Sequence, residues 1–412
     1  MTDQLPRLST AQAAARLGVK RETLYAYVAR GLISSARSEA GDSSFDPLEV
    51  ESFAAARGRG RGDRSTPVMP GRPLMVLDWD LTLLSEDELY FRGVRATELA
   101  DRWDFEDAVT FFWTGASPPR PREPRAEPGT PVRVGETILG SAGGLLERLT
   151  LLVIIAGSFD DHRHELAREA VLRAGRRIIA LFVDASPLPR NAASAVANDT
   201  VAARLWSGIT DASPSPGDLA LLNAALVLCI DHDLAASTMA ARVAASARAD
   251  LYACVAAALS ALSGNLHGSV TLAARDLIAE TVRTGRPEAA LSRQVAAGRG
   301  IPGFGHPVYA KRDPRAAAVL SRMRALPRYG RVVGAVDQLA SVVGARLGRA
   351  PNLDLALAAL VIGAGAPPEA AQAVFTIGRA AGWTAHVLDE YAKPALRLRP
   401  ESRYVGVQPR RA

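Results

Sequence analysis

The sequence predicts an all-α fold, and three observations support this prediction. Apolar residues recur at helical spacing over long stretches, for example from 136 to 183. No long alternating series of Val, Ile and Thr is present, which argues against a large sheet. Alanine fills many apolar positions, and only 6% of the residues are aromatic. Because small side chains allow helices to pack closely, the core is expected to be helical.

Length and composition set the broad class of the protein. The 412 residues are enough for two or three domains, and 48% hydrophobic with 22% charged residues is typical of globular proteins. A net charge of +6 is mild for this length and does not by itself require nucleic acid or membrane. The start, MTDQLPRLST, lacks the apolar segment of a signal peptide, and no apolar run is long enough for a bilayer. Cys229 and Cys254 lie in apolar helical runs, which predicts reduced, buried thiols in a cytoplasmic protein.

Residues 8–32 predict two short helices joined by a turn that contains glycine. Ser9 and Gln12 have the spacing of a capping box at the start of the first helix. The second helix is expected from about Lys20 to Arg30, with Gly31 ending it. Two short helices with this connection form a helix-turn-helix.

This N-terminal segment resembles the winged helix-turn-helix of the excisionase and MerR-like families, with SSFD at 43–46 as the wing and a helix over 47–57. In those families the second helix enters the major groove of DNA. The resemblance implies DNA contacts by Lys20, Arg21, Thr23 and Tyr27. The alternative is a module that serves only packing or oligomerisation, because ten Lys/Arg against eight Asp/Glu in residues 1–64 is a thin excess for phosphate binding.

The body is predicted as a series of helices with few other elements. A small hairpin is expected at 78–84, helices at 96–103, 105–113, 192–207, 219–230, 234–263, 355–362 and 368–391, and loops at 118–131 and 211–217. The stretch 234–263 is predicted as one helix of about 45 Å at 1.5 Å per residue. Asp104 is placed to cap one helix and Gly115 to end it. His162 and His164 lack a third ligand nearby and are predicted to be exposed.

The segment IPGFGHPVYAKRDPR at 301–315 is the strongest candidate for a site. Its prolines and glycines exclude a helix interior, and Gly303 and Gly305 let the backbone approach a ligand closely. His306 and Arg315 suit a small anionic substrate, with the imidazole donating to an oxygen and the guanidinium clamping a carboxylate. The alternative is a surface turn with solvated charges.

Three further positions carry chemistry-bearing side chains outside that segment. His232 and His267 lie at the two ends of one helical stretch, and neither falls on an apolar face. Asp354 precedes an apolar helix, where a cap is the ordinary structural role for Asp. Arg379 lies among apolar residues of a long helix and needs an anionic partner if it is buried.

Taken in order, these motifs resemble the citrate synthase family over residues 74–410. The motifs are FEDAVTFFWTG at 105–115, DHDLAAST at 231–238, GNLHGS at 264–269, IPGFGHPVYAKRDPR at 301–315, PNLD at 351–354, IGRAAGWTAH at 377–386 and RPESRYVG at 399–406. The resemblance implies an all-α homodimer whose large and small domains close on substrate. It divides the chain into a helix-turn-helix module at 1–60, a linker at 61–73, large-domain segments at 74–265 and 371–412, and a small domain at 266–370.

The resemblance also implies a reaction, the condensation of acetyl-CoA with oxaloacetate to citrate and CoA. Asp354 would remove a proton from the acetyl methyl group, His267 would hold the thioester oxygen, and His306 would bind the oxaloacetate ketone as acid. The oxaloacetate ligands would be His232, Arg315 and Arg379, with Arg399 reaching it from the partner subunit. The adenine of CoA would lie against Gly300, Ile301, Pro302, Gly303, Phe304 and Gly305. No metal and no permanently bound cofactor are implied, since CoA is substrate and product.

Four departures from the family pattern leave the acyl group open. Asn265 replaces a usual Pro, Ser269 a usual Gly, Pro307 a frequent Arg, and Ala310 a basic residue. One alternative is propionyl-CoA as substrate, giving 2-methylcitrate, because one methyl group is worth only about 1–3 kcal/mol of discrimination. Another is a DNA-binding regulator whose non-catalytic body senses a metabolite.

Overall fold

The computed structural model describes residues 6–37, 41–60, 75–117, 143–185, 200–264 and 270–406, together with the single positions 134 and 138. Helices dominate these residues, and the strands form two small three-stranded sheets. The prediction of a mostly helical protein without a large sheet is therefore confirmed. The predicted linker at 61–73, the loop at 118–131, and His267 with Asn265 and Ser269 lie outside the described residues.

The N-terminal module contains both predicted helices and their turn. Its elements are β1 (Leu8–Ser9), α1 (Thr10–Arg16), α2 (Arg21–Ala29), β2 (Ala36–Arg37), β3 (Ser43–Phe45) and α3 (Pro47–Gly60), with the strands in antiparallel order β1-β3-β2. The Ser9 hydroxyl accepts from the Gln12 N–H, and the Gln12 side chain accepts from the Ser9 N–H. The capping box is therefore confirmed, whereas DNA binding stays a prediction.

The body begins with a small sheet and continues as helices. Its elements are β4 (Thr82–Ser85), β5 (Glu88–Phe91), β6 (Val94–Arg95), α4 (Ala96–Arg102), α5 (Phe105–Thr114), α6 (Leu145–Ser158), α7 (Arg168–Asp184), α8 (Val201–Ile209), α9 (Pro216–Cys229), α10 (Ala236–Ser246), α11 (Leu251–Leu262), α12 (Val270–Thr284), α13 (Pro287–Ala296), α14 (Pro314–Arg324), a 3₁₀ turn (Pro327–Tyr329), α15 (Gly330–Leu347), α16 (Leu353–Ala364) and α17 (Ala370–Tyr391). Asp104 and Gly115 cap and end α5 as predicted. No helix in the described ranges is both long and apolar enough to cross a membrane.

The hairpin lies further along the chain than predicted. It pairs β4 with β5 through a turn at Glu86 and Asp87, which have φ of 52° and 60°. Aspartate tolerates this left-handed conformation better than most residues, so the turn forms without glycine. The Asp87 carboxylate also accepts from the N–H groups of Ala310 (2.6 Å) and Lys311 (2.9 Å), which ties the hairpin to the 301–315 segment.

The single helix predicted for 234–263 is wrong, because the chain turns between α10 and α11. Arg248 adopts a left-handed φ of 62°, and Asp250 caps α11 by accepting from the Ala253 N–H at 3.1 Å. The Arg248 guanidinium donates to the Glu390 carbonyl at 3.1 Å, so the turn is held by α17. This tertiary contact outweighs the helical propensity of an alanine-rich stretch.

The N-terminal module packs on the body through α3. This helix contacts α13 and α15, and Arg346 of α15 donates to Asp46 at 2.8 Å. Helix α13 precedes the 301–305 loop, and α15 precedes the 349–352 loop. The module therefore rests on the two helices that lead into these loops.

Candidate active site

A cavity of about 500 Å³ is lined by residues that follow α9, by the 301–315 segment and by the first turns of α12, α16 and α17. Five residues predicted for the site line it, namely His232, His306, Arg315, Asp354 and Arg379. Gly305 also lines it, whereas Gly300 to Phe304 do not. Arg399 is exposed and does not line this cavity, so its predicted role across a subunit interface stays a prediction. The structure thus brings together side chains that are distant in sequence.

Two paired loops form one wall of the cavity. The Gly305 N–H donates to the Ala350 carbonyl at 2.8 Å, and the Asn352 N–H donates to the Gly303 carbonyl at 2.9 Å. The Asn352 side chain donates to the Gly305 carbonyl at 3.0 Å and caps α16 by accepting from the Leu355 N–H. The cap is therefore Asn352 and not Asp354. This leaves the Asp354 carboxylate available to the cavity.

Replacing Gly303 with Ala is expected to destabilise the protein by roughly 2–4 kcal/mol. Gly303 has a left-handed φ of 83°, and a Cβ there would lie 2.7 Å from Leu355 Cδ1. Gly300→Ala is the matched control in the same loop, because a Cβ at Gly300 meets nothing within 4 Å. Urea unfolding of both variants checks this expectation. Equal unfolding midpoints would show that the close approach of the two loops carries no strain.

Arg315 is held by a carboxylate that lies two residues earlier in the chain. Asp313 accepts from Arg315 Nε at 3.0 Å and from Nη2 at 2.9 Å, and it also accepts from the Leu353 N–H at 3.0 Å. Burial disfavours both charges, but their attraction prevails: Asp313 raises the pKa of Arg315, and Arg315 lowers the pKa of Asp313. The guanidinium therefore stays charged and fixed beside the cavity.

Two neutral histidines stand beside this cation. Burial lowers the pKa of His306 to about 4, and the positive charge of Arg315 acts in the same direction. The pKa of His232 lies well below its ordinary value for the same two reasons, burial first. His232 Nε2 lies 2.9 Å from the Tyr309 hydroxyl, and the two imidazole centroids are 4.9 Å apart. Both imidazoles are uncharged at neutral pH and can act as directed hydrogen-bonding groups.

The hydrogen bonds of His306 indicate which ring nitrogen carries the proton. The Val308 N–H donates to Nδ1 at 3.1 Å, so Nδ1 is the acceptor and Nε2 bears the hydrogen. Nε2 lies 3.4 Å from Arg315 Nη2, which is also a donor. Two donors this close are best satisfied by a shared acceptor. An oxygen of an anionic or carbonyl ligand fits that position.

Arg379 is a second buried cation, only 1% exposed. Its Nε donates to the Cys229 carbonyl at 3.0 Å, and among the described residues no carboxylate forms an ion pair with it. Burial lowers the pKa of Arg379, and the charge of Asp231 is the main opposing influence. Helix α17 reaches α9 closely here, because a Cβ at Gly378 would lie 2.5 Å from that of Cys229. Asp231 therefore offsets the charge of Arg379 without contacting it, and a ligand carboxylate can supply the direct anionic partner.

Asp354 combines burial with a donor and a nearby cation. Burial raises the pKa of its carboxyl group to about 6, against the opposing charge of Arg315. The Thr271 hydroxyl donates to Asp354 Oδ1 at 3.3 Å. A carboxylate with a pKa near 6 is a stronger base than an ordinary Asp and is still ionised at neutral pH.

Several residues with clear roles were not predicted from the sequence. Asp313, Asn352 and Tyr309 hold or contact the predicted groups, and each lies within a few residues of one of them. Their position in the sequence, close to predicted site residues, could have indicated these roles. Of the four departures, Pro307 lines the cavity, and the backbone of Ala310 is held by Asp87.

The remaining predicted groups lie away from the cavity. His162 and His164 are exposed, and Cys229 and Cys254 are buried, as predicted. In α2, Lys20 and Arg21 are exposed at its start, whereas the Tyr27 ring packs 5.1 Å from Phe53. Tyr27 is therefore half-buried and packs against the core of the module.

The fold and the cavity together define a mostly helical protein whose buried cations face a pocket suited to a small carboxylate anion. The chain belongs to the citrate synthase family, because the family model described as "Citrate synthase, C-terminal domain" matches residues 71–401. The family membership predicted from the motif order is thereby confirmed. The matched range begins after the N-terminal module.

Individual relatives carry two different descriptions. The chain is 36% identical over 220 residues to "Putative citrate synthase 2" of Mycobacterium tuberculosis, covering 51% of this chain and only 57% of that protein. It is 26% identical over 351 residues to "2-methylcitrate synthase 1" of Corynebacterium glutamicum, covering 79% of this chain and 91% of that protein. A crystal structure of citrate synthase from Thermotoga maritima shares the fold, with a TM-score of 0.68, 24% identity, and coverage of 82% of this chain and 96% of that one.

Proposed function

We propose that the protein condenses an acyl-CoA with oxaloacetate and releases CoA. One observation carries this proposal: two buried cations, Arg315 and Arg379, and the neutral His306 share a cavity with Asp354, whose pKa is raised to about 6. A dianion needs fixed cations, a ketone needs a hydrogen-bond donor, and a weak carbon acid needs a base. These requirements correspond to the groups around the cavity.

The two guanidiniums bind and orient the oxaloacetate carboxylates in this proposal. The His306 Nε2–H donates to the ketone oxygen, together with the adjacent Arg315 N–H. The donors stabilise the negative charge that this oxygen gains during attack. Because His306 is neutral, it polarises the ketone without a permanent charge of its own.

Asp354 acts as the base in this proposal. It removes a proton from the carbon next to the thioester carbonyl, while a donor on the thioester oxygen stabilises the resulting enol. His267 is proposed as that donor. The new nucleophilic carbon attacks the oxaloacetate ketone carbon, and water then cleaves the thioester to give the tricarboxylic acid and free CoA.

The test is the release of CoA thiol from acyl-CoA in the presence and absence of oxaloacetate. Release that requires both substrates and is first order in protein is expected. Acetyl-CoA is the proposed substrate, and propionyl-CoA is the alternative because relatives of both descriptions match the chain. The ratio of kcat/KM for the two substrates decides between them. Absence of oxaloacetate-dependent release with either substrate would refute the proposal.

The pH dependence of kcat/KM is expected to show an acidic limb near pH 6. Asp354 must be ionised to accept a proton, and its pKa is raised to about 6, so the active fraction falls tenfold per pH unit well below that value. His306 has a pKa of about 4 and stays neutral throughout this limb. Thiol release measured from about pH 5 to about pH 8 checks this expectation. This range extends roughly one unit below and two units above the pKa of Asp354. A kcat/KM that stays constant down to about pH 5 would point to an ordinary carboxyl group instead.

A homodimer with Arg399 in the partner's cavity is part of the proposal. Arg397, two residues earlier, is held by Glu390 through bonds of 2.8 and 2.6 Å, so the start of this segment is anchored. Arg399 itself is exposed. Sedimentation of the wild-type protein and of Arg399→Ala tests whether dimerisation persists in the variant. Calorimetric titration of both proteins tests whether oxaloacetate binding weakens.

A DNA-binding metabolite sensor is the second candidate function. The packing of α3 on α13 and α15 supports it, because those helices lead into both loops of the cavity. Lys20 and Arg21 are exposed at the start of α2, where a recognition helix would present them. Oxaloacetate-dependent retention of DNA without any thiol release would favour the sensor over the enzyme.

A further inference from the structure

Thr376 differs from most helical threonines in the position of its hydroxyl group. Six threonines inside helices donate to the carbonyl four residues earlier at 2.7–2.9 Å, and these are Thr110, Thr114, Thr150, Thr281, Thr284 and Thr384. Thr376 lies inside α17 with the Gln372 carbonyl in the same relation. Its hydroxyl nevertheless has no hydrogen-bond partner within the part of the chain that the structure describes.

Burial makes this unpaired hydroxyl unfavourable for folding. The Thr376 side chain is 0% exposed, so water does not compensate for the missing partner. A buried polar group without a partner in a folded protein calls for a role beyond packing. The residue lines the cavity together with Arg379, which follows three positions later on the same face of α17.

We propose that Thr376 is a further substrate-binding residue, whose hydroxyl donates to the carboxylate that Arg379 binds. A hydroxyl supplies one donor, and a carboxylate oxygen is the acceptor that a neighbouring guanidinium would bring to it. Helical threonines occupy two rotamers about the Cα–Cβ bond, so the hydroxyl can change position without a movement of the helix. The identity of this carboxylate as that of oxaloacetate rests on the proposed function.

Thr376→Val keeps the shape of the side chain and removes the donor. The Kd for oxaloacetate, measured by calorimetric titration, is expected to rise about 10- to 100-fold, as for the loss of a hydrogen bond to a charged group. The unfolding temperature without oxaloacetate is expected to stay the same or to rise, because no existing bond is lost. Thr376→Ser keeps the hydroxyl and is expected to retain most of the affinity.

Thr384→Val is the matched control on the same helix. Thr384 is also buried, at 1% exposure, but its hydroxyl donates to the Ala380 carbonyl at 2.8 Å. It is expected to leave the Kd for oxaloacetate unchanged and to unfold at the same or a lower temperature. An unchanged Kd in Thr376→Val, or an equal rise in both variants, overturns the role of Thr376 while leaving the proposed function intact. A wild-type protein that binds no oxaloacetate overturns both.

Discussion

Replacing Asp354 with Asn is expected to lower kcat for CoA release by about 10²- to 10⁴-fold, the usual contribution of a general base. The amide keeps the size of the carboxyl group but cannot accept the substrate proton. Burial raises the pKa of the Asp354 carboxyl group to about 6, so in the wild type the group is ionised and basic at neutral pH. Oxaloacetate binding should change little, because the guanidiniums remain. Turnover and calorimetric binding of the same preparation separate these two effects.

A stability measurement distinguishes loss of the base from damage to the fold. A carboxyl group with a pKa raised from 3.8 to about 6 on folding stabilises the protein below pH 3.8, and this contribution is lost as the pH rises through 6. Asp354→Asn should therefore be more stable than the wild type at pH 7, with the difference shrinking as the pH falls. Turnover equal to that of the wild type would show that another group is the base.

Asp218→Asn is the matched control for this variant. Asp218 is 2% exposed and lies in the first turn of α9, where it accepts from the Ser215 N–H at 2.8 Å as part of a capping box. It does not line the cavity. We expect this variant to lose stability and to retain kcat, which is the opposite of the result for Asp354→Asn.

Local patterns in the sequence predicted helix caps better than they predicted contacts between distant residues. The capping box at Ser9 and the cap at Asp104 are fixed by residues three positions apart, and both are present. The break before Asp250 was not predicted, because it depends on a contact between Arg248 and α17. Periodicity shows where a helix is favoured, whereas its interruption here is decided by distant residues.

The site was predictable to the extent that each side chain carries its own chemistry. His306 and Arg315 were recognisable as donor and cation, whereas the role of Asp354 as base was implied only by the family resemblance; the structure places all three around one cavity. The sequence could not show that Asn352 takes the capping role, because two good capping residues stand two positions apart. It also could not show that Thr376 leaves its hydroxyl unpaired, because that depends on a rotamer.

The charge that compensates Arg379 is a further feature that pattern alone does not reveal. Asp231 is fully buried and accepts from Thr82 at 2.5 Å, and His386 Nε2 lies 3.2 Å from it. The His386 Nδ1 faces Arg242 at 3.0 Å, so its proton belongs on Nε2 and is directed to Asp231. This carboxylate therefore remains ionised behind the cavity and offsets the charge of Arg379 without pairing with it.

Replacing Arg379 with Met is expected to weaken oxaloacetate binding by about 100-fold, because a buried cation that faces a carboxylate contributes on the order of 2–5 kcal/mol to binding. The protein itself should lose little stability. The variant loses the hydrogen bond to the Cys229 carbonyl, but it also no longer buries a cation, which is unfavourable because burial lowers the pKa of Arg379. The measurement is the rise in unfolding temperature on addition of oxaloacetate, which follows the ratio of ligand concentration to Kd.

Arg204→Met provides the contrast that makes the Arg379 result interpretable. Arg204 is a half-buried cation with a direct partner, Asp184, at 2.8 Å, and it does not line the cavity. Its loss removes the ion pair with Asp184, so this variant should be destabilised while its response to oxaloacetate stays at the wild-type level. Arg379→Met should show the reverse, near-normal stability and a ligand response reduced from about 2.7 to about 0.4 kcal/mol at a concentration of roughly 100 times the wild-type Kd. If oxaloacetate stabilises Arg379→Met as much as the wild type, the carboxylate does not bind at Arg379.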